Sequence, residues 1–154
     1  VRLADNGPVG YGKPGSFEGF CSGGGIAKLG YEMAQEDTKR GIRPSFFEDG
    51  MEKEDVSARS IAETALAGDA TAREVYRISG KYLGKGLSIL IDILNPERII
   101  IGSIFARCRE LLWEAAEAEI KKEALAESAK RCRVVAAELG EGIGDYAAVA
   151  TALL

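Results

Sequence analysis

Leu94-Asn95-Pro96-Glu97-Arg98-Ile99-Ile100-Ile101-Gly102 is the stretch that decides how this chain folds. A residue before proline is pushed out of the helical region, so a helix running up to Leu94 must stop at Asn95. The next three residues are an unbroken β-branched run, which favours a strand, and Gly102 closes it. A strand apolar on both faces belongs in the middle of a parallel sheet covered by helices. Helix, strand, turn and helix in that order predict an α/β protein.

Working back from this point, Asp69 is the predicted N-cap of a long helix reaching Leu94. Its Val75, Ile78, Tyr82, Leu83, Leu87, Leu90, Ile91 and Leu94 form a broad apolar face. Ser57 opens a shorter helix that Gly68 ends. Residues 41–55 are polar and aromatic without periodicity and read as a loop. Residues 17–39 read as a helix with an interrupted start, carried by Ile26, Leu29 and Met33 and stopped at Gly41. Residues 1–16 begin strand-like and then become a Gly- and Pro-dense structured loop.

Forward from Gly102, a helix is expected from Ile104 to Leu125 with Ile104, Cys108, Leu111, Leu112, Ala115 and Ile120 inward. A second strand, Arg133 to Leu139, leads into Gly140, Gly142 and Gly144. A terminal helix covers Asp145 to Leu154, and the three glycines either let it pack close to the sheet or line a cleft. Val1 is not an initiator and Val1 to Ala4 reads as a strand entered halfway, so a piece of a longer protein is expected.

A chain of 154 residues, 46% hydrophobic and 29% charged, has the balance of one folded domain. Its 20 Lys and Arg against 24 Asp and Glu give a net charge of −4. That excludes nucleic-acid binding through bulk electrostatics. No apolar run reaches the ~18–20 residues that span a bilayer, and no stretch reads as a signal peptide. Cys21, Cys108 and Cys132 are odd in number and scattered, which suits reduced thiols and a cytoplasmic location. There is no histidine, so Ser-His-Asp and Cys-His chemistry and imidazole zinc sites are excluded.

Three local patterns carry possible chemistry. Gly10-x-Gly12-x-x-Gly15 spells a dinucleotide fingerprint but lacks the strand before it and the helix at its third glycine, so it reads as coincidence. Gly102 stands at the carboxyl end of a strand and the start of a helix, where open α/β sheets bind ligands and unpaired amides face polar groups. A tight strand-to-helix turn explains the same glycine equally well. Glu18, flanked by Phe17 and Gly19-Phe20, offers a carboxylate that accepts two hydroxyl hydrogen bonds and so suits a sugar, although a solvated glutamate would look the same.

Taken together these segments resemble the C-terminal half of the ROK family of repressors, open reading frames and sugar kinases. Gly12-Lys13-Pro14-Gly15-Ser16-Phe17-Glu18 followed by Cys21-Ser22-Gly23 resembles the family's Cys-x-Cys-Gly-x-x-Gly-Cys-x-Glu and its Ser-Gly helix start. Gly86-Leu87 through Leu94-Asn95-Pro96-Glu97 to Gly102 is similar to its long helix, Leu-Asn-Pro-Glu, strand and Gly-Gly. Leu139-Gly140 to Ala147-Ala148 resembles its closing glycine and Ala-rich helix, and Ala67-Gly68-Asp69 falls where the family has Ala-Gly-Asp.

The resemblance implies an actin-like ATPase fold of the hexokinase, ribonuclease H-like type, of which residues 1–154 would be the C-terminal lobe. Residues 1–16 would then be a strand and degenerate zinc loop, and residues 17–154 an α/β core. Glu18 would bind sugar hydroxyls, and Gly102 and Ser103 would lie against the adenosine of ATP, used with Mg. The catalytic Asp, the first phosphate loop and a sugar-contacting His would belong to the other half, leaving no catalytic residue here and no kinase activity in this chain alone. Val9, Tyr11 and Ser16 replace the zinc cysteines, so no zinc is expected, and the loop would be held by turn geometry and by Tyr11 and Phe17. Ser103 and Ile104 replace the second and third glycines of the nucleotide turn.

The function so implied is ATP-dependent phosphorylation of a hexose or amino sugar. The alternative is the sugar-sensing effector domain of a repressor, which would meet nucleic acid only through an upstream helix-turn-helix. A homodimer is expected from the family, with Phe46 and Phe47 as exposed aromatics, and no membrane partner.

Overall fold

The computed structural model describes residues 1–153, so the predicted end of the last helix at Leu154 lies outside the described residues. The interrupted helix resolves into α1, Phe17–Cys21, and α2, Gly23–Lys39. Ser22 is the break: extended at φ −81° and ψ 158°, it closes α1, and its hydroxyl accepts from Gly25 N at 3.0 Å to open α2.

Helix α3, Ala58–Ala67, starts at Ser57 and ends on Gly68, whose φ of 109° is left-handed and favours glycine. Helix α4, Ala70–Leu94, is capped by Asp69, whose Oδ1 accepts from Ala72 N at 2.8 Å. It stops at Asn95, which turns left-handed at φ 44°. Burial favours the neutral Asp69 acid, but the amides of Ser45 and Ala72 outweigh it and hold the carboxyl below the usual aspartate range. A depressed carboxyl contributes stability above its unfolded pKa and loses it as pH falls through the folded one. Asp69→Ala is therefore expected to cost about 1 kcal/mol at neutral pH. The gap from wild type in denaturant unfolding should close as the solution is acidified below the aspartate range.

Strand β1, Arg98–Ile101, pairs in parallel with β2, Arg133–Ala136, through a crossover of α5, Ser103–Glu123, and α6, Ala126–Arg131. Among the described residues the sheet has only these two strands, with Arg98 opposite Arg133 and Ile101 opposite Ala136. This corrects the reading of β1 as a covered central strand: Ile99 and Ile101 are half-buried against the helices, whereas Ile100 is 64% exposed. The second strand stops at Ala136, three residues short of Leu139, and a 3-10 turn, Gly140–Gly142, follows.

The core lies between α4 and its neighbours α1, α2, α3 and α5. Tyr76, Ile61, Val75, Leu87, Ile91, Phe105 and Leu112 are almost fully buried there. Helices α4 and α5 approach with backbone against backbone, because Gly80 and Gly84 leave no side chain between them. A Cβ on Gly84 would stand 2.5 Å from the Ala116 carbonyl oxygen. The inward face of α5 is Phe105, Cys108, Leu112, Ala116, Glu119 and Ile120, with Ile104, Leu111 and Ala115 only half-buried.

Several expectations fail at the periphery. Leu90 and Leu94 are expected inward but are exposed: they lie on a side of α4 that no described element covers, while Ile91 in the same turns is buried. Helix α7, Ile143–Ala152, carries Tyr146 and Val149 in the open. Gly140 and Gly144 have nothing near where a Cβ would stand, so these glycines are not packing α7 onto the sheet. Val1 to Ala4 forms no strand; Arg2 makes one isolated antiparallel bridge to Ser16. Phe46 is buried in the core, and Phe47 is half-buried with its ring edge-on to Tyr31, so these aromatics give no exposed dimer surface.

Candidate functional site

Helix α1 is one turn and a fraction long, too short to be stable alone, and it presents Glu18. Three attachments fix it. Ser16, 3% exposed, accepts hydrogen bonds from Gly19 N at 3.0 Å and Gly10 N at 3.2 Å, and its hydroxyl reaches Gly10 O at 3.3 Å. Phe20 stacks on Tyr82 of α4 with ring centroids 3.5 Å apart. The Phe17 ring fills the notch that Gly86 leaves on α4.

The Gly-rich loop is thus tied to α1 by the Ser16 hydroxyl, at one of the positions where the resembled family carries a zinc thiolate. This corrects the expected role of Tyr11, which is 89% exposed and holds nothing in place. Among the described residues no group of three or more His, Cys, Asp or Glu is arranged to hold a metal. Ser16→Ala removes the cap of α1 and a bond across the loop, with an expected cost of about 1–2 kcal/mol in chemical denaturation.

On the other side, Gly102 is the N-cap of α5 and makes no side-chain capping bond; α5 is kinked at Cys108 (φ −125°, ψ 28°), so the segment that Gly102 opens is a short one. Ser103, the first residue of α5, sits at φ 51°, a left-handed conformation that costs a residue with a Cβ. The family's glycine would adopt it freely, so the turn keeps its shape at some strain.

These residues meet. Glu18 from α1, Ser22 and Gly23 at the start of α2, and Gly102, Ser103 and Ile104 at the start of α5 line one cavity of about 360 Å³. Its apolar walls include Phe17, Leu83, Phe105 and Leu112. The mixture of apolar wall and few polar groups is that of a small-molecule site. Glu18 is exposed at its side, whereas Cys21, one turn further along α1, faces inward. Burial and then the Glu18 charge push the Cys21 thiol well up, so it stays protonated and unreactive.

The sequence singled out Glu18, Gly102 and Ser103, and all three stand at this cavity. It missed Cys21, Gly23 and Ser79, which also line it. Ser79 did carry a signal, as a polar residue within the apolar face of α4. The Gly10–Gly15 pattern lines no part of the cavity and closes a local turn, with Gly10 and Lys13 bridged to each other.

The chain is similar to the glucokinase of Halalkalibacterium halodurans, 28% identical over 137 residues that make 89% of the chain and 40% of that enzyme. It is also similar to the N-acetylglucosamine repressor of Shigella flexneri, 33% identical over 103 residues, 66% of the chain and 25% of that protein. The chain therefore spans a quarter to two fifths of the length of these relatives. Among solved structures, a ROK family glucokinase from Streptomyces griseus in complex with glucose and AMPPNP matches with a TM-score of 0.73. That match is 23% identical and covers 94% of the chain and 46% of the enzyme. A ROK family transcriptional regulator matches with a TM-score of 0.69, covering 88% of the chain and 33% of that regulator. The fold is thus the C-terminal portion of an actin-like ATPase fold. The ROK family sequence profile matches residues 1–153, and the chain belongs to the ROK family.

Proposed function

We propose that residues 1–154 form the C-terminal lobe of a sugar kinase that transfers the γ-phosphoryl group of ATP to a hexose or amino sugar. One observation carries this reading: the Glu18 carboxylate and the uncapped start of α5 line the same cavity. Glu18 accepts hydrogen bonds from sugar hydroxyls, and its fixed helix holds them in one orientation. Gly102 and Ser103 form one wall of the cavity, where the family resemblance implies the adenosine of ATP. ATP supplies the phosphoryl group, and Mg enters with its phosphates. The base that takes the sugar proton and the groups on the β- and γ-phosphates belong to another lobe, so the isolated chain is proposed to be inactive. A cytoplasmic location and a homodimer belong to the same reading.

A coupled ATP-consumption assay with glucose, mannose and N-acetylglucosamine on the whole protein tests it. Turnover with one of them supports a kinase. Turnover by the isolated chain, abolished in Glu18→Ala, would overturn the division between lobes.

The strained Ser103 favours a second reading, the sugar-sensing effector domain of a repressor. A Cβ on Ser103 and a branched Ile104 crowd the nucleotide wall while leaving Glu18 untouched. Sugar binding without ATP consumption would select it.

A further inference from the structure

Serine and threonine inside a helix ordinarily turn their hydroxyls back to the carbonyl four residues earlier. In this chain Thr38 bonds Ala34 O at 2.8 Å, Thr64 bonds Ser60 O at 3.1 Å and Ser88 bonds Gly84 O at 2.8 Å. Thr151 does the same to Ala147 O at 2.8 Å. Ser79, in the middle of α4, does not. It is 1% exposed, its Oγ has no hydrogen-bond partner, and it lines the cavity that holds Glu18. A buried hydroxyl with nothing to bond destabilises the protein that carries it. An unmet group of this kind inside a ligand-sized cavity needs an explanation.

The surroundings say which ligand would satisfy it. Glu18 and Cys21, three residues apart on α1, lie on one face of that helix. The Cys21 thiol packs on the Ser79 carbonyl oxygen at 3.9 Å. The carboxylate, the thiol and the serine therefore follow one another from the open side of the cavity inward. A carboxylate such as that of Glu18 offers acceptor oxygens, so a ligand beside it must carry donors. Ser79 is free to donate, so the inner end of that ligand must carry an acceptor. Hydroxyl groups do both, and Phe17, Leu83, Phe105 and Leu112 offer apolar surface to the C–H faces of a ring.

We propose that the Ser79 hydroxyl is a specificity contact of this cavity, donating a hydrogen bond to an inner oxygen of a monosaccharide whose outer hydroxyls reach Glu18. The inference rests on the sugar-binding reading above and deepens it.

Calorimetric titration of the whole protein, wild type, Ser79→Ala and Glu18→Ala, with glucose, mannose and N-acetylglucosamine provides the test. The sugar that binds is then repeated as its monodeoxy analogues, and AMPPNP serves as the nucleotide probe. Ser79→Ala is expected to weaken that sugar about tenfold and leave AMPPNP unchanged. One monodeoxy analogue should lose the same factor against wild type and nothing more against Ser79→Ala, which a merely structural role would not produce. Without ligand, Ser79→Ala should melt at or above the wild-type temperature, because it removes an unmet hydroxyl. Sugar affinity within twofold of wild type in Ser79→Ala, with a clear loss in Glu18→Ala, overturns this inference and leaves the sugar site standing. Sugar affinity unchanged in both variants overturns the two together. A lower melting temperature with unchanged sugar affinity assigns Ser79 to the fold and also overturns it.

Discussion

Replacing Glu18 with alanine is expected to weaken sugar binding by the whole protein roughly ten- to a hundredfold and leave nucleotide binding unchanged. The magnitude is that of one charge-assisted hydrogen bond, about 1.5–3 kcal/mol. The selectivity comes from how α1 is held. Its backbone is tied by Ser16, its Phe20 by Tyr82 and its Phe17 by the Gly86 notch, and none of these involves the Glu18 carboxylate. Truncation at Cβ therefore removes the acceptor without moving the Gly102–Ser103 wall. Parallel titrations with a hexose panel and AMPPNP measure both sides. An unchanged sugar isotherm would return Glu18 to the status of a solvated side chain.

The second large effect concerns stability. Gly84→Val should lower it by about 3 kcal/mol, the upper end for overpacking a well-filled interface. Helix propensity argues the other way, since leaving glycine gains up to about 1 kcal/mol. The contact decides the sign. The new Cβ would meet the Ala116 carbonyl oxygen at 2.5 Å and the Glu119 Cβ at 2.8 Å. The first of these is backbone and has no rotamer through which to escape. For a chain of this size the loss corresponds to a melting temperature lower by roughly 6–12 °C, readable by calorimetry. Gly23→Ala supplies the contrast, because nothing lies within 4 Å of the position its Cβ would take.

The elements that could be read from sequence are those with local causes. Ser57, Gly68, Asp69 and Asn95 end helices through capping chemistry that involves only their near neighbours, and the boundaries fall where those residues stand. The interrupted start of the 17–39 helix could be read, and the structure puts the break at Ser22. Burial was read less well wherever it depends on what lies opposite. Ile100, Leu90 and Leu94 are apolar and carry the right periodicity, yet they are exposed because no described element faces them. Phe46 sits in an aperiodic loop but is buried, since the loop is drawn onto the core beside Ser45, whose amide bonds the Asp69 carboxylate at 2.6 Å. At the candidate site, the residues named in advance were those beside glycines. Ser79 was not: its place in the apolar face of α4 is legible, but that its hydroxyl goes unmet depends on what the packed helices place around it.

The two-stranded sheet has a colloidal consequence. Among the described residues β1 pairs with β2 alone, so its other edge has no strand partner, and Ile100 in the same strand is exposed. Such an edge, β-branched and parallel-paired, is a template on which another extended segment can dock. Natural edges are blunted by lysine, proline or a bulge. Here β1 has no lysine or proline, and its only charge is Arg98 at the first position. The isolated chain should accordingly be a concentration-limited species. Its shelf life would be governed by second-order encounters between molecules, lengthening on dilution.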